Sequence, residues 1–114
     1  MTIVNITVEN DADFYRVFQY QTLSGIPIDI TGAAMHMMLR RHATDDVAVM
    51  RLGTDTGEIV IVDAVQGLFS IRIRQVDLER LGLGDYAHSN IMVNGDLKRS
   101  IWTGTFTNNP GPSR

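Results

Sequence analysis

The sequence predicts an all-β domain, a sandwich of two sheets built from seven or eight short antiparallel strands. Three observations carry this. Apolar and polar residues alternate with a period of two in one stretch after another. Gly- and Asn-containing turn signals separate those stretches at short, fairly regular intervals. Residues 75–81 alone refuse to alternate and read as a short helical turn. With 114 residues, 44% of them hydrophobic, the chain can bury a core of its own.

Residues 2–9 set Val4, Ile6 and Val8 on one side, all apolar and β-branched, which predicts a half-buried first strand. Asn10-Asp11-Ala12-Asp13 is a turn cluster. Residues 14–21 place Phe14, Arg16, Phe18 and Tyr20 opposite Tyr15, Val17, Gln19 and Gln21; their aromatic and β-branched content predicts a second strand. Ser24-Gly25 ends it. Pro27 has no N–H for a ladder, so residues 26–30 are expected as an edge or connecting segment. After Thr31-Gly32, residues 33–40 alternate again, with Met35, Met37 and Leu39 as the expected core face.

Residues 47–52 predict a further short strand, and Gly53-Thr54-Asp55-Thr56-Gly57 is a clear turn. Ile59-Val60-Ile61-Val62 is an unbroken β-branched run of the kind expected in a buried strand. In residues 68–74, Phe69, Ile71 and Ile73 face one way while Ser70, Arg72 and Arg74 face the other. Gly82 and Gly84 stop the helical turn at 75–81. Residues 85–93 alternate Ala87, Ser89, Ile91 and Val93 against Tyr86, His88, Asn90 and Met92. Asn94-Gly95 signals a tight hairpin. The return strand, residues 97–107, is expected to put Trp102 and Phe106 on one face and Ile101, Thr103 and Thr105 on the other.

Strand number and length match an immunoglobulin-like sandwich. With no Cys in the chain, such a sandwich would lack the disulfide that pins antibody domains. One domain over residues 1–107 is expected, with residues 108–114, rich in Asn, Pro, Gly and Ser, as a flexible C-terminal tail.

Composition narrows function further. A formal net charge of -3 offers no electrostatic footprint for nucleic acid. No apolar run approaches the ~18 residues needed to span a bilayer, so no membrane partner is expected. Met1-Thr2-Ile3-Val4-Asn5 lacks the basic start and apolar block of a signal peptide. A soluble protein made inside the cell is the expectation.

Chemistry-bearing residues do not assemble in the sequence. His36, His42 and His88 are spaced without any metal-ligand pattern. Asp45, Asp46 and Asp55 lack the alternating ligands of a calcium loop and read as turn formers, as do Asp11 and Asp13. Ser24, Ser70, Ser89 and Ser100 have no nucleophile-elbow context. Gly82-Leu83-Gly84 follows a helix instead of opening one, so it is a helix stop. Arg51, Arg72 and Arg74 are weighed as a basic strip on one sheet face. No catalytic, cofactor-binding or metal-binding residue is assigned.

Surfaces remain. Both sides of residues 14–20 are substantially apolar, so one of them is expected to stay exposed and meet a partner. The candidate partner-binding residues are Tyr15, Phe18 and Tyr20, with Ile26, Ile28 and Ile30 of the edge segment. Asp29 points away from its two flanking isoleucines and is expected to accept the N–H of Thr31 or Gly32 in an Asx-type turn.

Gly25-x-Pro27-Ile28-Asp29-Ile30-Thr31-Gly32, with a strand ending in Arg40, resembles a pattern of small tailed-phage and prophage structural proteins. Later matches are Thr56-Gly57 with Ile59 to Val62, the helical turn, Gly84-Asp85-Tyr86, and the Asn94-Gly95 hairpin ending in Trp102-Thr103-Gly104. Ile30 stands where the pattern has Leu, and Ala87-His88 where it has Tyr-Asp. The resemblance covers nearly the whole chain through short elements. It implies an immunoglobulin-like module, similar to N-terminal modules of baseplate proteins, that docks onto other virion proteins. It also implies a virion location after synthesis in the host cytoplasm, and no catalytic residues. Homo-oligomer formation is a further expectation. The alternative is a small carbohydrate- or surface-binding module, which would present an aromatic platform, with Trp102 as the one Trp available.

Overall fold

The computed structural model describes residues 2–113. Its elements in chain order are β1 (Ile6–Glu9), β2 (Phe14–Gln19), β3 (Ala34–Arg40), β4 (Met50–Gly53), β5 (Ile59–Asp63), β6 (Leu68–Ile73), α1 (Gln75–Leu81), β7 (Gly84–Asn94) and β8 (Leu97–Asn109). They form a five-stranded sheet in the order β1-β8-β7-β3-β4 and a three-stranded sheet in the order β2-β6-β5. Reading β2, β5 and β6 as strands B, D and E, and β3, β4, β7 and β8 as C, C′, F and G, gives the immunoglobulin sandwich in its variable-type form. Neighbouring strands are antiparallel except β1, which runs parallel to β8.

Local sequence explains most of this. Ile6 and Val8 of β1, Met35, Met37 and Leu39 of β3, and Phe69, Ile71 and Ile73 of β6 are buried, each set at period two. Their facing side chains make the core, with Leu52, Ile59, Leu78 and Phe106 filling between them. The β7–β8 hairpin turns at Gly95, whose φ of 61° no other residue type would adopt as readily. No non-Gly residue has positive φ among those described, so Asn94 is the last strand residue and Gly95 the first turn residue, as in a type II′ turn.

Helix α1 is short but held at both ends. Asp13 Oδ1 accepts the Gln75 N–H at 2.7 Å, supplying a cap that the adjacent Arg74 does not. At the other end the Tyr86 hydroxyl donates toward the Leu81 and Gly82 carbonyls, each 2.9 Å away. Asn108 Nδ2 donates to the Leu78 and Gly82 carbonyls at 2.8 and 3.0 Å. Gly82 then leaves the helix at φ 89°. The buried Tyr86 reaching back to upstream backbone is the tyrosine corner of this fold.

Several expectations are corrected. β5 is the outermost strand of its sheet, and its Val60 and Val62 are exposed, because the run is covered on one face only. In β8 both Ile101 and Trp102 are buried: the register passes from Asn90↔Trp102 to Ile91↔Ser100, so Ile101 is a bulged extra residue and alternation breaks there. β7 keeps the alternation read from the sequence, which left its core face open: the inward face is Tyr86, His88, Asn90 and Met92, two of them polar. Finally, the expected tail from 108 is tied down. β8 runs to Asn109, Asn108 is buried, the Gly111 N–H donates to Asn10 Oδ1 at 2.9 Å, and the Ser113 N–H donates to Asp11 Oδ2 at 3.3 Å.

Tyr86→Phe deletes the corner hydroxyl while keeping the buried ring. Two carbonyls then lose a shared donor, so urea unfolding is expected to show a loss of about 1–2 kcal/mol with an unchanged m value.

Candidate functional site

The second strand sorts its aromatic residues by face. Tyr15 and Val17 point outward from the three-stranded sheet, and Tyr15 is 62% exposed. Phe18 points inward and is half-buried, stacked on Phe69 with ring centroids 5.8 Å apart. Tyr20 lies just past β2 and is also packed against the core. Outward-facing exposure therefore belongs to Tyr15 and not to Phe18 or Tyr20, because the inner aromatic set is drawn into the gap between the sheets.

Residues 26–30 are not an open edge. The Ile28 N–H donates to the Tyr20 carbonyl at 2.9 Å and the Ile30 N–H to the Ala64 carbonyl at 2.8 Å. Ile26 is exposed, Ile28 half-buried, and Ile30 only 1% exposed. Asp29 makes the expected turn: its Oδ1 accepts the Thr31 N–H at 2.9 Å and the Thr31 hydroxyl at 2.5 Å. The hydroxyl bond, then the backbone bond, hold this carboxyl below the usual aspartate range.

The row Val17–Ser70–Val60 crosses the outer face of the three-stranded sheet, with Tyr15 opposite Arg72 beside it. Ser70 is buried although it faces outward, screened by the two flanking valines. Val62 extends the apolar surface along β5. Sequence alternation marked Tyr15; the contributions of Val60 and Val62 were hidden by the expectation that β5 is covered on both faces.

The outer face of the five-stranded sheet is different in character. A shallow depression of about 190 Å³ is lined by His36, Met38, Arg40, Ser89, Ile91 and Thr103, among others. Arg40 is engaged with the Asp45 carbonyl at 3.2 Å. Partial burial first, then the Arg51 and Lys98 charges, lower the His36 pKa below its ordinary value. Arg51 pairs with Asp55 at 3.1 Å on this sheet, whereas Arg72 pairs with Asp13 at 3.6 Å on the other. The three arginines thus form no common strip. Among the described residues, no group of three His, Asp or Glu side chains is arranged to hold a metal ion.

Between the sheets sits an aromatic cluster that sequence reasoning missed. Trp102 is 4% exposed and lies 4.9 Å from Phe18 and 5.7 Å from Phe69, centroid to centroid. Burial removes it as the exposed platform that the alternative glycan-binding reading would require. Its Nε1–H donates to His88 Nδ1 at 3.3 Å. An indole N–H can only donate, so Nδ1 is the unprotonated nitrogen and Nε2–H donates to the Val4 carbonyl at 3.0 Å. Burial pushes the His88 pKa below its ordinary value, against the opposing pull of the Val4 and Thr105 backbone. Nearby, Asn90 is fully buried, and among the described residues neither polar atom of its side-chain amide finds a partner.

No protein-family model matches the chain, and no curated protein matches it. Solved structures resemble it. The N-terminal domain of phage TP901-1 ORF48 is 15% identical with a TM-score of 0.49, covering 96% of this chain and 98% of that one. Murine CRIg is 14% identical with a TM-score of 0.44, covering 94% and 92%. The Ig1 domain of mouse SynCAM 2 is 14% identical with a TM-score of 0.45, covering 98% and 96%.

His88 makes stability depend on pH. Its folded pKa lies below the ordinary histidine value of about 6.5, so below that pH the unfolded chain binds the proton first. Stability is therefore full above about 6.5 and is lost as pH falls toward the depressed folded value. His36 adds a loss of the same sign. The wild-type urea midpoint is expected to drop from pH 7 to pH 5, and His88→Gln to flatten that drop more than His36→Gln.

Proposed function

We propose that this chain is a non-enzymatic binding module that works through protein–protein contacts as a structural component of a tailed-phage or prophage particle, in its tail or baseplate. The observation that carries the contact reading is the outward face of the three-stranded sheet, where Tyr15, Val17, Val60 and Val62 are all exposed. Apolar side chains gathered on one face are what a partner would cover. The phage assignment is supported by the pattern from Gly25 to Arg40 and its later matches along the chain. Other virion proteins are the partners of this reading, and the virion its location.

Nothing in the buried polar set argues for catalysis. His88 has both ring nitrogens committed to structural hydrogen bonds. A glycan-binding reading is less well served, since Trp102 is inside and Tyr15 is the exposed aromatic.

Pairwise binding to each protein encoded beside this one tests the proposal. A specific complex is expected, and Tyr15→Ala or Val17→Lys should weaken it about tenfold or more while leaving thermal stability within ~0.5 kcal/mol. Binding to a glycan panel, with no complex among the neighbouring proteins, would overturn it.

A further inference from the structure

β5 closes the three-stranded sheet on one side, and its far edge is open. The Arg72 N–H donates to the Glu58 carbonyl at 2.8 Å, and the ladder pairs Ile59 with Ile71 and Val60 with Ser70. Residues 58/72 and 60/70 are therefore the hydrogen-bonded pairs, because bonded and non-bonded pairs alternate in an antiparallel ladder. The N–H and C=O groups of Ile59 and Ile61 consequently point away from β6. Among the described residues, no loop backbone or side chain takes them up. This edge carries no Lys or Pro to discourage pairing: it reads Ile-Val-Ile-Val-Asp. The irregularity between Ile61 and Asp63 ends the regular stretch, which leaves residues 58–62 as the landing strip.

We propose that β5 pairs antiparallel with β5 of a second copy of this chain, about a two-fold axis through Val60. The inference rests on the protein-contact reading above and names one of the partners. In this register Ile59 stands opposite Ile61 of the second copy, and Ile61 opposite its Ile59. Each of these pairs exchanges reciprocal hydrogen bonds through the outward-pointing groups. Val60 faces its own counterpart in a non-hydrogen-bonded pair, where Cα atoms approach to about 4.5 Å and side chains are closest. Glu58 falls opposite Val62, and Asp63 opposite Gly57, so no like charges meet. The register is thus self-complementary, as a two-fold interface requires. Pairing would also join two outer faces. The row Val17–Ser70–Val60 would continue into the same row reversed, making one wider apolar surface on a six-stranded sheet.

Val60→Cys tests this directly, because the chain has no other Cys. The paired geometry lies within disulfide reach. Under a mild oxidant at micromolar protein, a disulfide-linked dimer is expected at least tenfold faster than from Val76→Cys, a site of similar exposure on α1 (43% against 51%). Light scattering should give a dimer mass for the wild type and a monomer mass for Val60→Lys, whose circular dichroism is unchanged. Equal crosslinking rates for the two Cys variants, or a monomer mass for the wild type at hundreds of micromolar, would overturn self-pairing. So would a β5 contact seen only when another protein is added. Failure here leaves binding to neighbouring-gene proteins as a separately measured result, so the two readings fall independently.

Discussion

Trp102 stands between the two sheets, in contact with Phe18 of β2 and Phe69 of β6 while its own strand lies in the opposite sheet. Immunoglobulin domains of antibodies join their sheets by a disulfide whose second Cys sits two residues after the corner tyrosine. Here the corner is Tyr86, and two residues on stands His88, which orients the Trp102 indole. A disulfide typically contributes 2–4 kcal/mol by constraining the unfolded chain. Burial of a Trp side chain is worth roughly 4–6 kcal/mol from its area, and each well-placed aromatic pair adds about 0.5–1.5. The non-covalent clamp is large enough to replace the covalent one.

The bulge at Ile101 makes this clamp possible. An uninterrupted β8 would send Ile101 and Trp102 to opposite faces; the extra residue lets both turn inward. Beyond it, alternation resumes with Phe106 in the core, and β8 continues to Asn108, which locks the end of α1. One strand therefore connects the aromatic cluster to the helix and corner. With the interior closed in this way, the outer faces and the β5 edge are left free for contacts. The contacts proposed above would be made there, by side chains and backbone groups that contribute little to the protein's own core.

Much of the architecture was legible in the chain because β1, β3 and β6 each bury one clean set of aliphatic, Met or aromatic residues at period two. Legibility fails where that condition fails. The inward face of β7 holds His88 and Asn90, so hydropathy did not indicate which side is core. Ile59 to Val62 is apolar on both sides, and periodicity cannot distinguish a doubly covered strand from an edge with a bare outer face. The last residues are held by Asn10 and Asp11, about a hundred positions away, a contact that turn-like composition cannot reveal. Of the candidate contact residues, Tyr15 and Ile26 lie exposed, while Phe18, Tyr20 and Ile30 are drawn inward. Alternation separates two faces but does not say which one the opposite sheet will cover.

A double-mutant cycle on Phe18→Leu and Trp102→Leu, read by urea unfolding with circular dichroism, addresses the inter-sheet clamp most directly. Because the two rings touch across the sheets, the account predicts a coupling energy of about 0.5–1.5 kcal/mol, with each single variant clearly destabilised. Effects that add within about 0.3 kcal/mol would contradict it.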